Sequence, residues 1–125
     1  MIPVTGRTYP MLIYPATRHN RPAMKVFLDD LRETPEGWVR VYWPEEAFEL
    51  LATGQVTEIS LDYDLGDDRR GTGYDVIQWI EEAVFTRGFR APKITVHSAN
   101  SAARARMEAG IWAIEAMMAQ APGKA

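Results

Sequence analysis

The sequence predicts an open α/β sheet of parallel strands covered by helices, and three stretches predict it. Lys25 to Arg32 reads K-V-F-L-D-D-L-R, Glu58 to Asp64 reads E-I-S-L-D-Y-D, and Lys93 to Asn100 reads K-I-T-V-H-S-A-N. Each is a short β-prone run that ends on polar, chemically able groups and is followed by a turn and then a helical pattern. The apolar run Val26, Phe27, Leu28 shows no polar alternation, which suits a strand buried on both faces. Parallel strands all point the same way, so the residues at their carboxyl ends gather on one rim, where ligands bind. Asp29, Asp30, Asp62, Asp64, His97 and Ser98 are therefore expected to meet.

The elements follow in order. Residues 1–23 hold Pro3, Pro10, Pro15 and Pro22 with Gly6, a spacing that forbids a long helix. This stretch reads as a basic N-terminal arm, with room for one short edge strand at Met11 to Tyr14. Residues 24–120 form the α/β domain, and 121–125 a loose tail. After the first strand, Pro35 and Gly37 mark a turn, and Val39 to Trp43 reads as the second strand. About ten residues separate the two, at the short limit for a parallel crossover, so an irregular loop or one helical turn connects them.

Pro44 suits the first position of a helix, Glu45 and Glu46 suit its positive end, and Ala47, Phe48, Leu50 and Leu51 give it an apolar face. Gly54 ends it. The third strand spans Glu58 to Asp62. Residues 64–73, with three glycines, three Asp and two Arg, form a loop. Helix returns at Tyr74, with Val76, Ile77, Ile80, Ala83 and Val84 on one stripe, Trp79 beside it and Gly88 at its end. The fourth strand is Ile94 to His97. Ser98 or Ser101 caps a last helix in which Met107, Ile111, Ile114 and Met118 share a face.

A chain of 125 residues is long enough to bury one core without staples. It has no cysteine, which excludes a thiolate zinc site and a cysteine nucleophile, and no apolar run approaches the ~20 residues of a membrane span. The expected setting is cytoplasmic. The net charge of −3 divides into +3 on residues 1–23 and −6 on the rest. An acidic domain makes a poor general binder of DNA, whose affinity comes largely from Lys and Arg on phosphates, but leaves a small phosphorylated ligand open. The sequence does not specify an oligomeric state.

Carboxylates crowded on one rim repel one another unless a cation sits among them. Asp29, Asp30 and Asp62 are the candidate metal ligands, and an oxygen-only set favours Mg²⁺ or Mn²⁺. Asp64 is either part of the site or a turn residue. His97 is either a buried, hydrogen-bonded side chain or a general acid, a role that needs a group able to exchange a proton near neutral pH. Ser98 and Asn100 can donate to a phosphate at the last helix's amino end, with Arg104 one turn in, or Ser98 only caps. Arg32 is a further phosphate candidate. Gly71 to Gly73, with Thr72 and Gly73 as its contacting residues, forms either a backbone cradle for an anion or a flexible loop. No Walker loop, G-x-S-x-G or H-E-x-x-H occurs. A serine triad is disfavoured because the second histidine, His19, belongs to the arm.

These motifs also carry a resemblance. L-D-D-L-R at 28–32 with Pro35 and G-W at 37–38, S-L-D-Y-D-L-G at 60–66, T-G-Y-D at 72–75 and H-S-A-N at 97–100 with Met107 resemble the cyclic-phosphate processing receiver-like family. The resemblance covers roughly residues 24–118 and leaves the arm out. It implies a receiver-like, flavodoxin-type sheet in the order 2-1-3-4 with helices on both faces. It also implies metal-supported action on a cyclic phosphate of a nucleotide, RNA end or ADP-ribose derivative. Asp29, Asp30 and Asp62 would form the acidic pocket, with Asp64, His97, Ser98 and Asn100 around it. Tyr63 stands where the family often has histidine, and Ala103 where a glycine is common. An ordinary two-component receiver is similar in its acidic pair, Asp62 and Ser98, but its lysine after a fifth strand has no counterpart. Phospho-transfer signalling is therefore the runner-up, and non-catalytic binding of a nucleotide signal the third reading.

The arm offers little apolar surface to bury, so deleting residues 1–23 is expected to leave the melting temperature nearly unchanged. A collapse in thermal unfolding would show instead that the segment is a true strand of the sheet.

Overall fold

The structure, a computed structural model, describes residues 23–120. Its elements are β1 (Met24–Leu28), β2 (Val39–Val41), α1 (Pro44–Leu51), β3 (Val56–Leu61), α2 (Gly73–Arg87), β4 (Lys93–Val96) and α3 (Ser101–Gln120). The sheet runs β2-β1-β3-β4 and every pairing is parallel, in the expected order. The arm up to Pro22, its candidate edge strand and the tail after Gln120 lie outside the described residues.

Local chemistry sets where the elements stop. Strand β2 ends at Val41, two residues short of the expected Trp43, because the side chain of Glu46 turns back on the chain. Its Oε1 accepts from the N–H groups of Tyr42 at 2.7 Å and Trp43 at 3.2 Å, leaving Pro44 to open α1. Thr72 caps α2 by accepting from Tyr74 N, while Asp75 reaches back to Thr72 N at 2.9 Å. The helix closes on Gly88, whose φ of 65° is the left-handed conformation open to glycine, with its N–H on the Val84 carbonyl. The cap of α3 is Asn100, where either Ser98 or Ser101 was expected. Asn100 Oδ1 accepts from Ala103 N at 3.0 Å and its carbonyl from Arg104 N at 2.8 Å. Ser98 Oγ instead accepts from Asn100 N at 3.1 Å and so braces the cap.

The core forms on one side of the sheet. Val26, Leu28, Val41, Ile59, Leu61 and Ile94 pack with Ala47, Leu50 and Leu51 of α1, Val76, Ile77 and Ile80 of α2, and Met107, Ile111 and Ile114 of α3. The right-handed rule for parallel crossovers puts α1, between β2 and β3, and α2, between β3 and β4, on the same face, and α3 packs on α2. Among the described residues the helices therefore make one layer, not the two that were expected. The reason lies in the link from β1 to β2. That crossover would lay a helix on the opposite face, but residues 29–38 are irregular, pinned by Arg40 Nη1 on the Arg32 carbonyl and on Thr34 Oγ1. Phe27, buried between Val26 and Leu28, stands outside the main core cluster, with its ring against Trp38 and His97. Among the described residues no helix is long and apolar enough to cross a membrane.

Met107 is fully buried where α3 meets α2. Met107→Ala should cost roughly 2 to 5 kcal/mol, the usual range for a truncated core methionine. Urea unfolding followed by circular dichroism reads that loss as a lower midpoint at an unchanged slope.

Candidate functional site

The register of the sheet determines which side chains meet. Phe27 pairs with Ser60 and Ser60 with Thr95, and the next row is Leu28, Leu61 and Val96. Backbone bonding continues one step past the strands: Asp29 N donates to Val41 O at 3.2 Å, Asp62 N to Leu28 O at 3.0 Å, and His97 N to Leu61 O at 2.9 Å. Asp29, Asp62 and His97 thus form one further row. By the two-residue alternation of a strand they share the face of Phe27, Ser60 and Thr95, opposite the helical layer.

Asp29 is fully buried. Its Oδ1 accepts from the N–H groups of Leu31 at 2.7 Å and Arg32 at 2.9 Å. Its Oδ2 lies 2.8 Å from His97 Nε2 and 3.6 Å from Arg32 Nε. Burial alone would raise the Asp29 carboxyl, but the Arg32 and Leu31 N–H groups and the His97 ring together hold it below its ordinary value of 3.8. Asp62 has fewer donors; its Oδ1 accepts from Tyr63 N at 2.8 Å. Burial first, and then the Asp29 charge, push the Asp62 carboxyl above 3.8, against smaller opposing effects of Tyr63 N–H, His97 and Arg32.

An ionised carboxylate only accepts, so the contact with Asp29 places a hydrogen on His97 Nε2. The other ring nitrogen, Nδ1, lies 2.7 Å from Ser60 Oγ. Phe27 stacks on the imidazole with 4.5 Å between centroids and 4° between planes. One ligand atom from each of Asp29, Asp62 and His97 lies within 4.8 Å of the others, close enough to share a divalent cation. Asp62, which accepts from one backbone N–H, has room for such an ion beside Asp29.

The other sequence candidates fall in different places. Asp30 stands outside the three-residue group; its Oδ2 faces the backbone of Gly66, 3.3 Å from where a side-chain carbon would sit there. Asp64 is exposed and also outside the group. Arg32 joins the site through Asp29. Arg104 is drawn to Glu108 at 3.3 Å and to the Ser98 carbonyl at 3.3 Å, while Ser98 and Asn100 serve the start of α3. The backbone of the G-T-G loop is spoken for: Gly71 N donates to Asp68 O, Thr72 N to Asp75 and Gly73 N to Tyr63 O. Gly73 has a steric role, because a Cβ there would lie 1.9 Å from the Asp62 carbonyl oxygen and 2.9 Å from Met107 Cε. Tyr63 points toward the helical side, where Arg106 lies over it and over Tyr74. Sequence reasoning missed Ser60 and Phe27 as neighbours of the site. The signal was available: each precedes an acid of the row by two residues and so shares its face.

The chain belongs to the cyclic-phosphate processing receiver domain family, whose model matches residues 24–113. Searches of curated proteins and of solved structures gave no match.

The two acids predict opposite stability effects. The lowered pKa of Asp29 adds stability above pH 3.8 that is lost as pH falls through its folded value; the raised pKa of Asp62 favours folding below 3.8 and is lost as pH rises through its folded value. In metal-free buffer at pH 7, Asp62→Asn should therefore melt higher than the wild type, with the gap closing on acidification. Asp29→Asn should melt lower, by roughly 1 to 3 kcal/mol, the cost of disrupting a buried charged acceptor. Thermal melts from pH 3 to 8 test both signs.

Proposed function

We propose that the row Asp29, Asp62 and His97 opens a cyclic phosphate of a nucleotide, RNA end or ADP-ribose derivative, assisted by a divalent cation. The observation that supports this is the meeting of two carboxylates and an oriented imidazole within 4.8 Å of one another, one acid held below its ordinary pKa and the other above. Environments that push two acids apart in this way give them different tasks. Asp29 is the fixed anion that orients His97. Asp62 is the acid left short of positive charge.

Asp62 and Asp29 would hold the ion, and an oxygen-only pair suits Mg²⁺ or Mn²⁺. Such an ion supplies neutralisation of phosphate charge and a lowered pKa for water. His97 would give the proton that its Nε2 shares with Asp29 Oδ2 to the departing sugar oxygen. Arg32, whose side chain is half exposed beside Asp29, binds a phosphate oxygen. This role falls to Arg32 because Ser98, Asn100 and Arg104 are engaged at the start of α3.

A panel of cyclic phosphates incubated with Mg²⁺ or Mn²⁺, with products read by mass, tests the reaction. Asp62→Asn should abolish turnover and the rise in melting temperature on adding the metal, while leaving the fold intact. His97→Ala should keep the metal response and lose roughly 10²- to 10⁴-fold in rate, the usual contribution of a general acid. If the wild type binds a cyclic nucleotide without converting it and Asp62→Asn binds equally well, the protein is a binder of the signal. Modification of Asp62 by a small phosphodonor would point to phospho-transfer signalling.

A further inference from the structure

We infer that Ser60 is a positioning residue for His97, its hydroxyl fixing which ring nitrogen meets Asp29. This rests on the reading of His97 as the proton donor and goes beyond it by naming the group that holds the donor in place. Ser60 lies within the buried part of β3, between Ile59 and Leu61, where an apolar side chain would be the ordinary choice. Among the described residues its side-chain bond is to His97 Nδ1 at 2.7 Å. The imidazole is thus held at both nitrogens, by Ser60 and by Asp29, while the parallel Phe27 ring restricts its tilt.

An imidazole can turn by half a revolution about its bond to Cβ and exchange its edges. With Ser60 at Nδ1, that turn would forfeit two hydrogen bonds at once. The hydroxyl is also the smallest side-chain group that can both donate and accept, and the reaction needs both abilities. With Nδ1 bare, Ser60 donates to it. When both nitrogens carry hydrogen, Nδ1–H donates to Ser60 Oγ.

In the transfer, which starts with both ring nitrogens protonated, the phosphorus–oxygen bond breaks and its electron pair goes to the sugar oxygen, which takes the Nε2 proton from its bond to Asp29. Nδ1–H stays on Ser60, and the water that adds to phosphorus returns a proton to Nε2. The ring keeps one pose throughout because its Nδ1 partner never has to be exchanged.

Ser60→Thr and Ser60→Val test this, since both are β-branched residues suited to a strand and differ in a hydroxyl against a methyl. Turnover of the best cyclic phosphate from the mass screen should stay near wild type in Ser60→Thr. In Ser60→Val it should lose roughly 10- to 100-fold in kcat, the usual cost of removing an outer partner, with KM within about twofold. A second readout is independent of turnover. Long-range ¹H–¹⁵N spectra of the histidine rings, with His97 assigned through His97→Ala, should show one ordered Nδ1 environment in the wild type and in Ser60→Thr. Averaged ring nitrogens are expected in Ser60→Val. If no cyclic phosphate is turned over, the proposed reaction fails while the spectra still decide the positioning. Unchanged ring-nitrogen signals in a folded Ser60→Val, or unchanged kcat, would overturn the inference.

Discussion

A carboxylate sealed from water at the end of a central strand must be satisfied by the protein, and Asp29 sets that condition for everything near it. Its two oxygens are met by the N–H groups of Leu31 and Arg32 and by the His97 ring. The first contacts shape the turn that leaves β1; the last crosses from β1 over β3 to the end of β4. One buried charge therefore ties together a loop and the ends of β1 and β4. The requirement also explains why Leu31 is left exposed on the rim: the turn that delivers its N–H to Asp29 directs its side chain outward.

The candidate site stands on the face of the sheet that the described helices do not cover. On the helical side, alternate residues of the same strands are Val, Ile and Leu packed without exposure. On the other side they are Phe27, Ser60 and Thr95, followed by the acid, acid and imidazole of the rim. The strands thus carry apolar residues for cohesion on one face and the candidate site on the other. This division places a polar serine in a buried strand without interrupting the core.

Much of this was legible in the sequence, and what was not has physical causes. The strand order and the meeting of Asp29, Asp62 and His97 followed from parallel strands sharing a rim. The single helical layer did not, because the apolar run Val26 to Leu28 reads as two-sided burial whether Phe27 meets a helix or a ring such as Trp38. Ser98, Asn100 and Arg104 drew notice because a helix amino end attracts anions. In the structure, Asn100 supplies the capping oxygen itself and Glu108 takes up the Arg104 charge. Asp30 differs from Asp29 by one step along the chain, and a turn that aims one carboxylate at the imidazole aims its neighbour elsewhere. Periodicity does not resolve a turn of that kind.

Gly73 has a consequence that reaches past packing. With no side chain between them, the first turn of α2 and the carbonyl of Asp62 are in direct backbone contact, so the helix acts as a rigid stop behind one acid of the site. Movement of α2 along its axis would be transmitted to Asp62 without a compliant side chain to absorb it. Change in sequence is consequently easier to accommodate in the exposed segment 66–70 than at the start of the helix that follows, which has no free volume to yield.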